Sequence, residues 1–291
     1  MRILSNISEV VDEYDAFLFD AFGVLIDVQG ALPGAQQTLD FLNQKKKPWL
    51  IVSNGSKFPR ETTAAGYRRR GLDLSDDRVL TSGMMIGEYF EQHDLKGAPT
   101  AWYGPECSKV LLENAGAELV GLDDPFEVFI VTDGGDDFLS YMGKLISAFF
   151  RAIDAGREFR MLLPNPDLLF PASEGQFGVT SGAVALLVEE ALRLRYPEKN
   201  LQFEKLGKPY PMIFEKAKRI TGGEKLLMFG DQLFTDIQGA VNFGIDSVLM
   251  GTGLTPQHDV AKGNISSVYA HGGHGRGGHG PTFCLPFFQK L

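Results

Sequence analysis

Residues 16–25 read Ala-Phe-Leu-Phe-Asp-Ala-Phe-Gly-Val-Leu. Four apolar residues run without alternation up to Asp20. A strand covered on both faces reads this way, and helices flanking a parallel sheet provide that cover. Gly23 permits a tight turn just beyond the carboxylate. Residues 226–236, Leu-Leu-Met-Phe-Gly-Asp-Gln-Leu-Phe-Thr-Asp, have the same form. An apolar strand runs to Gly230, Asp231 follows it, and Asp236 lies one helical turn further on. Trp49–Val52 is another apolar strand, and it ends at Ser53 and Asn54.

Helical patterns fill the intervals. Ala35, Leu39 and Leu42 recur at helical spacing, and Glu61–Arg70 fits a helix stopped by Gly71. Pro211–Ile220 opens with the proline favoured in a first turn. Thr235–Asn242 predicts a helix, and Ile245–Met250 a last strand. The middle of the chain has the same grammar: strands at Thr100–Tyr103, Val128–Thr132 and Phe159–Leu163, with helices at Pro105–Asn114, Leu139–Ala155 and Ala183–Leu194. Strand alternating with helix predicts an α/β protein with a parallel sheet. The 291 residues leave room for a second α/β domain.

Composition excludes several classes. Two cysteines, Cys107 and Cys284, cannot form a disulfide scaffold or a cysteine-rich zinc site. A net charge of −9 argues against a nucleic-acid partner, which needs a basic surface. No run of about 18 apolar residues predicts a membrane span. The N-terminus lacks a signal-peptide pattern, so a cytoplasmic location is expected. Residues 271–280 are rich in His and Gly and contain G-x-G-x-x-G. No strand precedes that match and no helix follows it, so it is not a dinucleotide fingerprint, and the stretch reads as a solvated, poorly ordered loop.

The chemistry gathers at strand ends, where open α/β sheets bind their ligands. Asp20 alone could cap a turn. Beside Gly23 it can instead serve as a nucleophile toward phosphorus. Asp231 and Asp236 offer hard oxygen ligands suited to Mg2+. Lys208, held between Gly207 and Pro209, is a compact cation for a phosphate and for the nucleophilic carboxylate. Ser53 and Asn54 can donate hydrogen bonds to phosphoryl oxygens, or simply cap a turn.

These segments resemble subclass IIA of the haloacid-dehalogenase-like phosphatases. The resemblance rests on residues 17–25, 32–35, 51–56, 81–83, 165–167, 207–217, 230–245 and 249–255, which occur in family order. It implies a Rossmann-like parallel-sheet core with helices on both faces and an inserted α/β cap. The core would comprise residues 1–82 and 180–291, and the cap residues 83–179. Asp20 would be the aspartyl nucleophile, with Ser53, Asn54 and Lys208 binding phosphate. The metal would be held by Asp20, Asp231, Asp236 and the backbone carbonyl of Phe22. The implied enzyme is a Mg2+-dependent phosphatase acting on a small phosphomonoester such as a sugar phosphate, nucleotide or cofactor phosphate. A homodimer formed through the cap is a further expectation.

One departure stands out. The family pattern is Asp-x-Asp, and its second Asp is the general acid and base; this chain reads Asp20-Ala21-Phe22. Phenylalanine cannot transfer a proton, and general acid–base catalysis is worth about 10²–10⁴-fold. Low turnover on alkyl phosphates is therefore expected. The alternative is a phosphate-binding or regulatory protein without turnover. Asp27, in the loop after Asp20, and Asp133, in the Thr132–Asp137 loop of the cap, are candidates for proton transfer or substrate contact.

Overall fold

The computed structural model describes residues 2–134, 138–173, 176–253 and 280–288. The His/Gly-rich stretch and Asp136–Asp137 lie outside these residues. The chain divides into two compact units. The first holds Met1–Ser53, Arg60–Leu80 and Lys208–Leu291; the second holds Asn54–Pro59 and Thr81–Gly207.

Strands are numbered here in chain order. The first unit's sheet contains β1 (Arg2–Ile3), β2 (Ala16–Phe19), β3 (Trp49–Ser53), β4 (Val79–Thr81), β12 (Leu226–Gly230), β13 (Asp246–Met250) and β14 (Phe283–Leu285). Their spatial order is β1-β14-β13-β12-β2-β3-β4. β2 and β12 are buried along their whole length and pair in parallel, with Phe19 opposite Phe229. Those two rings stack with centroids 4.8 Å apart. Offset aromatic stacking of this kind adds to the burial of two large side chains.

The helices of this unit are α1 (Ala35–Gln44), α2 (Arg60–Arg69), α7 (Pro211–Thr221) and α8 (Gln238–Phe243). From β2 the chain passes through α1 to β3 on one side. From β12 it passes through α8 to β13 on the other. Adjacent strands with opposite onward connections define a topological switch point, and a crevice opens at their carboxyl ends. Asp20 and Asp231 stand there. The expected helix at Thr235–Asn242 is in fact two pieces: a π turn at Leu233–Ile237, then α8. The wider turn is closed by the Ile237 amide donating to the Gln232 carbonyl at 3.2 Å.

The second unit has its own parallel sheet: β5 (Pro99–Tyr103), β6 (Glu118–Leu119), β7 (Val128–Val131), β8 (Arg160–Leu163) and β11 (Glu204–Lys205), in the order β11-β8-β7-β5-β6. A hairpin, β9 (Leu169–Ser173) and β10 (Gln176–Val179), is antiparallel. Helices α3 (Met85–Gln92), α4 (Lys109–Asn114), α5 (Phe138–Asp154) and α6 (Ser181–Arg195) complete it.

The return from this unit comes later than residue 180. Val184, Ala185, Val188 and Leu192 of α6 are buried in one cluster with Leu145 and Phe149 of α5. β11 pairs with β8, Glu204 opposite Leu162. Hydrophobic periodicity showed that α6 has a buried face; only packing decides which sheet receives it. β14 was not foreseen either. It is three residues long and lies between β1 and β13, so its pairing comes from the far end of the chain.

Candidate active site

The first unit assembles four charged side chains at the carboxyl ends of β2 and β12. Asp20 follows β2, and its amide donates to the Phe229 carbonyl at 2.8 Å, locking the two strand ends together. Lys208 Nζ donates to Asp20 Oδ1 and to Asp236 Oδ1, both at 2.6 Å. All three side chains are buried, and so is Asp231. A buried ammonium is stable only with opposite charge at hand. Burial pulls the Lys208 pKa down, but the two carboxylates outweigh it and leave the group well above the usual lysine range. Burial pushes Asp236 up to about 7, against the pull of Lys208.

Asp20, Asp231 and Asp236 each present a carboxylate oxygen, and these atoms all lie within 4.8 Å of one another. Three hard oxygens so placed fit a divalent cation. The surrounding backbone is shaped to them. A Cβ at Gly23, whose φ is +83°, would come 2.6 Å from Asp231 Oδ2. One at Gly253 would overlap the Asp231 carboxylate, and one at Gly230 would overlap Asp236. Thr252 Oγ1 donates to the Gly23 carbonyl at 2.5 Å, tying the segment after β13 to the turn after β2. Phe22 lies in that turn, bridged to Ile26.

The remaining expected residues are placed as follows. Ser53 ends β3. Its side chain lies close enough to the hydroxyl of Tyr67, a buried residue of α2, to pull the phenol's pKa down. Tyr67 also lies in the fields of Asp20, Lys208 and Arg70, and burial is the main cause that pushes its phenol up to about 12. Periodicity marks Tyr67 only as part of the buried face of α2. Its polar tip was the available signal, because a buried tyrosine hydroxyl requires a partner. Asn54 belongs to the second unit, where its Nδ2 donates to Asp167 Oδ1 at 2.9 Å and its carbonyl accepts from Ser82 Oγ at 2.8 Å.

The Phe22 ring is 40% exposed, and the Arg70 guanidinium lies 5.4 Å from its centroid. Asp27 is engaged within its own loop. Its Oδ1 accepts from the amides of Gln29 at 2.7 Å and Gly30 at 3.0 Å, closing its own turn. Among the described residues no hydrogen bond or ion pair joins it to Asp20. An Asp two or three residues before a turn's amides commonly bonds back in this way. Asp133, in the second unit, accepts from the Gly134 amide at 2.7 Å and pairs with Lys57 Nζ at 3.9 Å.

Comparison with known proteins agrees with this architecture. Residues 17–118 match a family model described as haloacid dehalogenase-like hydrolase, and residues 205–271 match one described as HAD-hydrolase-like. An acid sugar phosphatase from Staphylococcus epidermidis is 31% identical over 261 residues, covering 88% of this chain and 94% of that protein. A crystal structure of a possible sugar phosphatase of the HAD superfamily from Cytophaga hutchinsonii is 26% identical. It superposes with a TM-score of 0.80 and covers 99% of this chain and 98% of that one. A glycerol phosphate phosphatase from Mycobacterium tuberculosis, solved in complex with magnesium, shares the fold at 22% identity. Its TM-score is 0.71, over 86% of this chain and 72% of that one. The chain belongs to the haloacid dehalogenase-like hydrolases, and within them it is a phosphatase. No helix among the described residues is long and apolar enough to cross a membrane.

Proposed function

We propose that this enzyme hydrolyses a small phosphomonoester of the sugar-phosphate class, using Mg2+ and Asp20 as nucleophile. The observation that carries this reading is Lys208 buried between Asp20 and Asp236, with Asp231 completing the carboxylate group. Asp20, Asp231, Asp236 and the Phe22 carbonyl would hold the metal. When bound, magnesium supplies positive charge that offsets the transferring phosphoryl group.

A carboxylate oxygen of Asp20 attacks phosphorus as the bond to the ester oxygen breaks. Lys208 holds that carboxylate in position and offsets charge on the phosphoryl oxygens. Ser53 donates a hydrogen bond to the same oxygens. Water then attacks the aspartyl phosphate, releasing inorganic phosphate and restoring Asp20. Phe22 has no proton to give, so the departing alkoxide takes one from water. Slow turnover of alkyl phosphates follows, with faster release from esters of acidic alcohols such as p-nitrophenol. The second unit takes the role of the family's cap.

Phosphate release from a phosphomonoester panel, with and without Mg2+, tests the reading. Asp20→Asn should abolish release while retaining the melting temperature to within a few degrees. Undiminished release in that variant would overturn the mechanism. Stabilisation of the wild type by phosphate and Mg2+ with no product across the panel would instead make the protein a phosphate binder.

A further inference from the structure

The turn that carries Phe22 is built onto the residue that lies against its ring. Phe22 bridges Ile26, and Ile26 bridges Ala31. The Ala31 amide donates to the Arg70 carbonyl at 2.6 Å, just past the end of α2. Gly30, with φ +149°, permits this approach, since a Cβ there would lie 3.3 Å from the same carbonyl. Backbone contacts thus set both side chains on one small frame, with the Arg70 guanidinium 5.4 Å from the centroid of the exposed Phe22 ring.

A helix C-terminus favours a nearby cation, which accounts for a basic residue here but not for its place beside the ring. Arg68, in the last turn of α2, pairs with Asp76 at 2.7 Å. Among the described residues no carboxylate pairs with Arg70, whose Nη1 donates to the Gly66 carbonyl at 3.2 Å. An aromatic ring attracts a guanidinium without accepting a conventional hydrogen bond from it. The planar fork of N–H groups that remains matches a carboxylate or a phosphate.

We propose that Arg70 is a specificity-determining residue, whose guanidinium binds an anionic group, a carboxylate or a second phosphate, on the alcohol portion of the substrate. The proposal rests on the phosphatase reading above, in which residue 22 stands where the family's general acid meets the departing alcohol. A cation beside Phe22 then lies on the alcohol's side of the phosphoryl site. No covalent bond changes at Arg70. Binding energy from a remote anion can be realised in the transition state, and so compensates in part for the proton that Phe22 does not supply.

The test compares wild type with Arg70→Gln, Arg70→Lys and Arg70→Glu in the presence of Mg2+. Two matched pairs are used: glucose 6-phosphate against 6-phosphogluconate, and fructose 6-phosphate against fructose 1,6-bisphosphate. The first pair reports a carboxylate and the second a phosphate. p-Nitrophenyl phosphate, whose alcohol carries no anion, reads the basal reaction. Wild type should prefer the anionic member of at least one pair in kcat/KM. Arg70→Gln should lower kcat/KM for that member by about 10–100-fold, the scale of a charge-assisted hydrogen bond, and change the neutral member and p-nitrophenyl phosphate by less than about twofold. Arg70→Lys should keep part of the preference, because it retains the charge without the planar fork, and Arg70→Glu should reverse it. An arginine that only steadies the turn would, when replaced, lower the melting temperature and slow every substrate alike. That result overturns the proposal, as does a wild type that hydrolyses p-nitrophenyl phosphate with no preference within either pair. If wild type releases phosphate from none of these esters, the phosphatase reading fails and takes this proposal with it.

Discussion

In the proposed mechanism Phe22 limits turnover, and its surroundings change what a substitution there would do. The Arg70 guanidinium lies 5.4 Å from the ring centroid, so a carboxylate at residue 22 would meet a cation. An adjacent positive charge favours the ionised form of a carboxyl. An ionised group cannot protonate a leaving alkoxide. Phe22→Asp alone is therefore expected to gain little phosphate release from an alkyl phosphate. Phe22→Asp with Arg70→Ala should gain at least several-fold more, with its optimum at higher pH. Equal gains in both, measured across pH 5–8, would show that Arg70 does not govern the new carboxyl. At this scale the sequence exposed Asp20, Asp231, Asp236 and Lys208 through their places at strand ends and in a rigid turn. It could not separate Tyr67 from an ordinary core aromatic. Nor could it tell that Asp27 bonds to its own turn, because the direction of a loop side chain is set by local amides.

At the scale of elements, the end of β12 and the π turn after it work together. Gly230 leaves no room for a Cβ, because Asp236 folds back against it. Asp236 Oδ2 also accepts from the Gln232 amide at 3.2 Å, so the turn holds its own carboxylate. Gly230→Ala should displace Asp236 and weaken Mg2+ binding by at least tenfold, measured by titration calorimetry. Overpacking of this kind also destabilises by about 1–3 kcal/mol. Wild-type affinity in that variant would mean that Asp236 is not needed to hold the metal.

A second turn gives a pH signature. Asp15 accepts from the amides of Lys225 at 2.8 Å and Glu224 at 3.1 Å, anchoring the start of β12. Those bonds, that to Lys225 foremost, hold its carboxyl below the usual range. A depressed carboxyl stabilises the fold above its unfolded pKa, and the contribution disappears as pH falls through the folded value. Asp15→Ala should therefore melt below wild type at pH 7, with the gap closing below about pH 4, near the unfolded carboxyl pKa. A gap that persists at pH 2 would assign the loss to packing instead.

At the largest scale, each unit has its own parallel sheet and its own large buried apolar cluster. Phe149 on α5 is fully buried and meets Phe129 edge-to-face at 4.8 Å. Phe149→Ala should cost about 3–5 kcal/mol through lost burial and the cavity left behind. In hydrogen exchange, that loss should fall on residues 81–207 and leave the protection of β2, β12 and β13 near wild type. Uniform loss across both units would instead make the chain one cooperative block. The net charge of −9 also takes on a local meaning: three of its acids form one buried cluster, and two of them pair with Lys208.

The sequence by itself determined the α/β class, the central strands β2, β3 and β12, and the carboxylates that follow them. Unbroken apolar runs ending in Gly and Asp report burial on both faces, and that burial is a local property of the chain. Only the tertiary structure decided that α6 and β11 join the second unit, that β14 closes toward β1, and that Tyr67 reaches Ser53. Each of these depends on which distant surface receives an apolar face or a polar tip. Residues far apart in the chain make that choice together, so no local pattern records it.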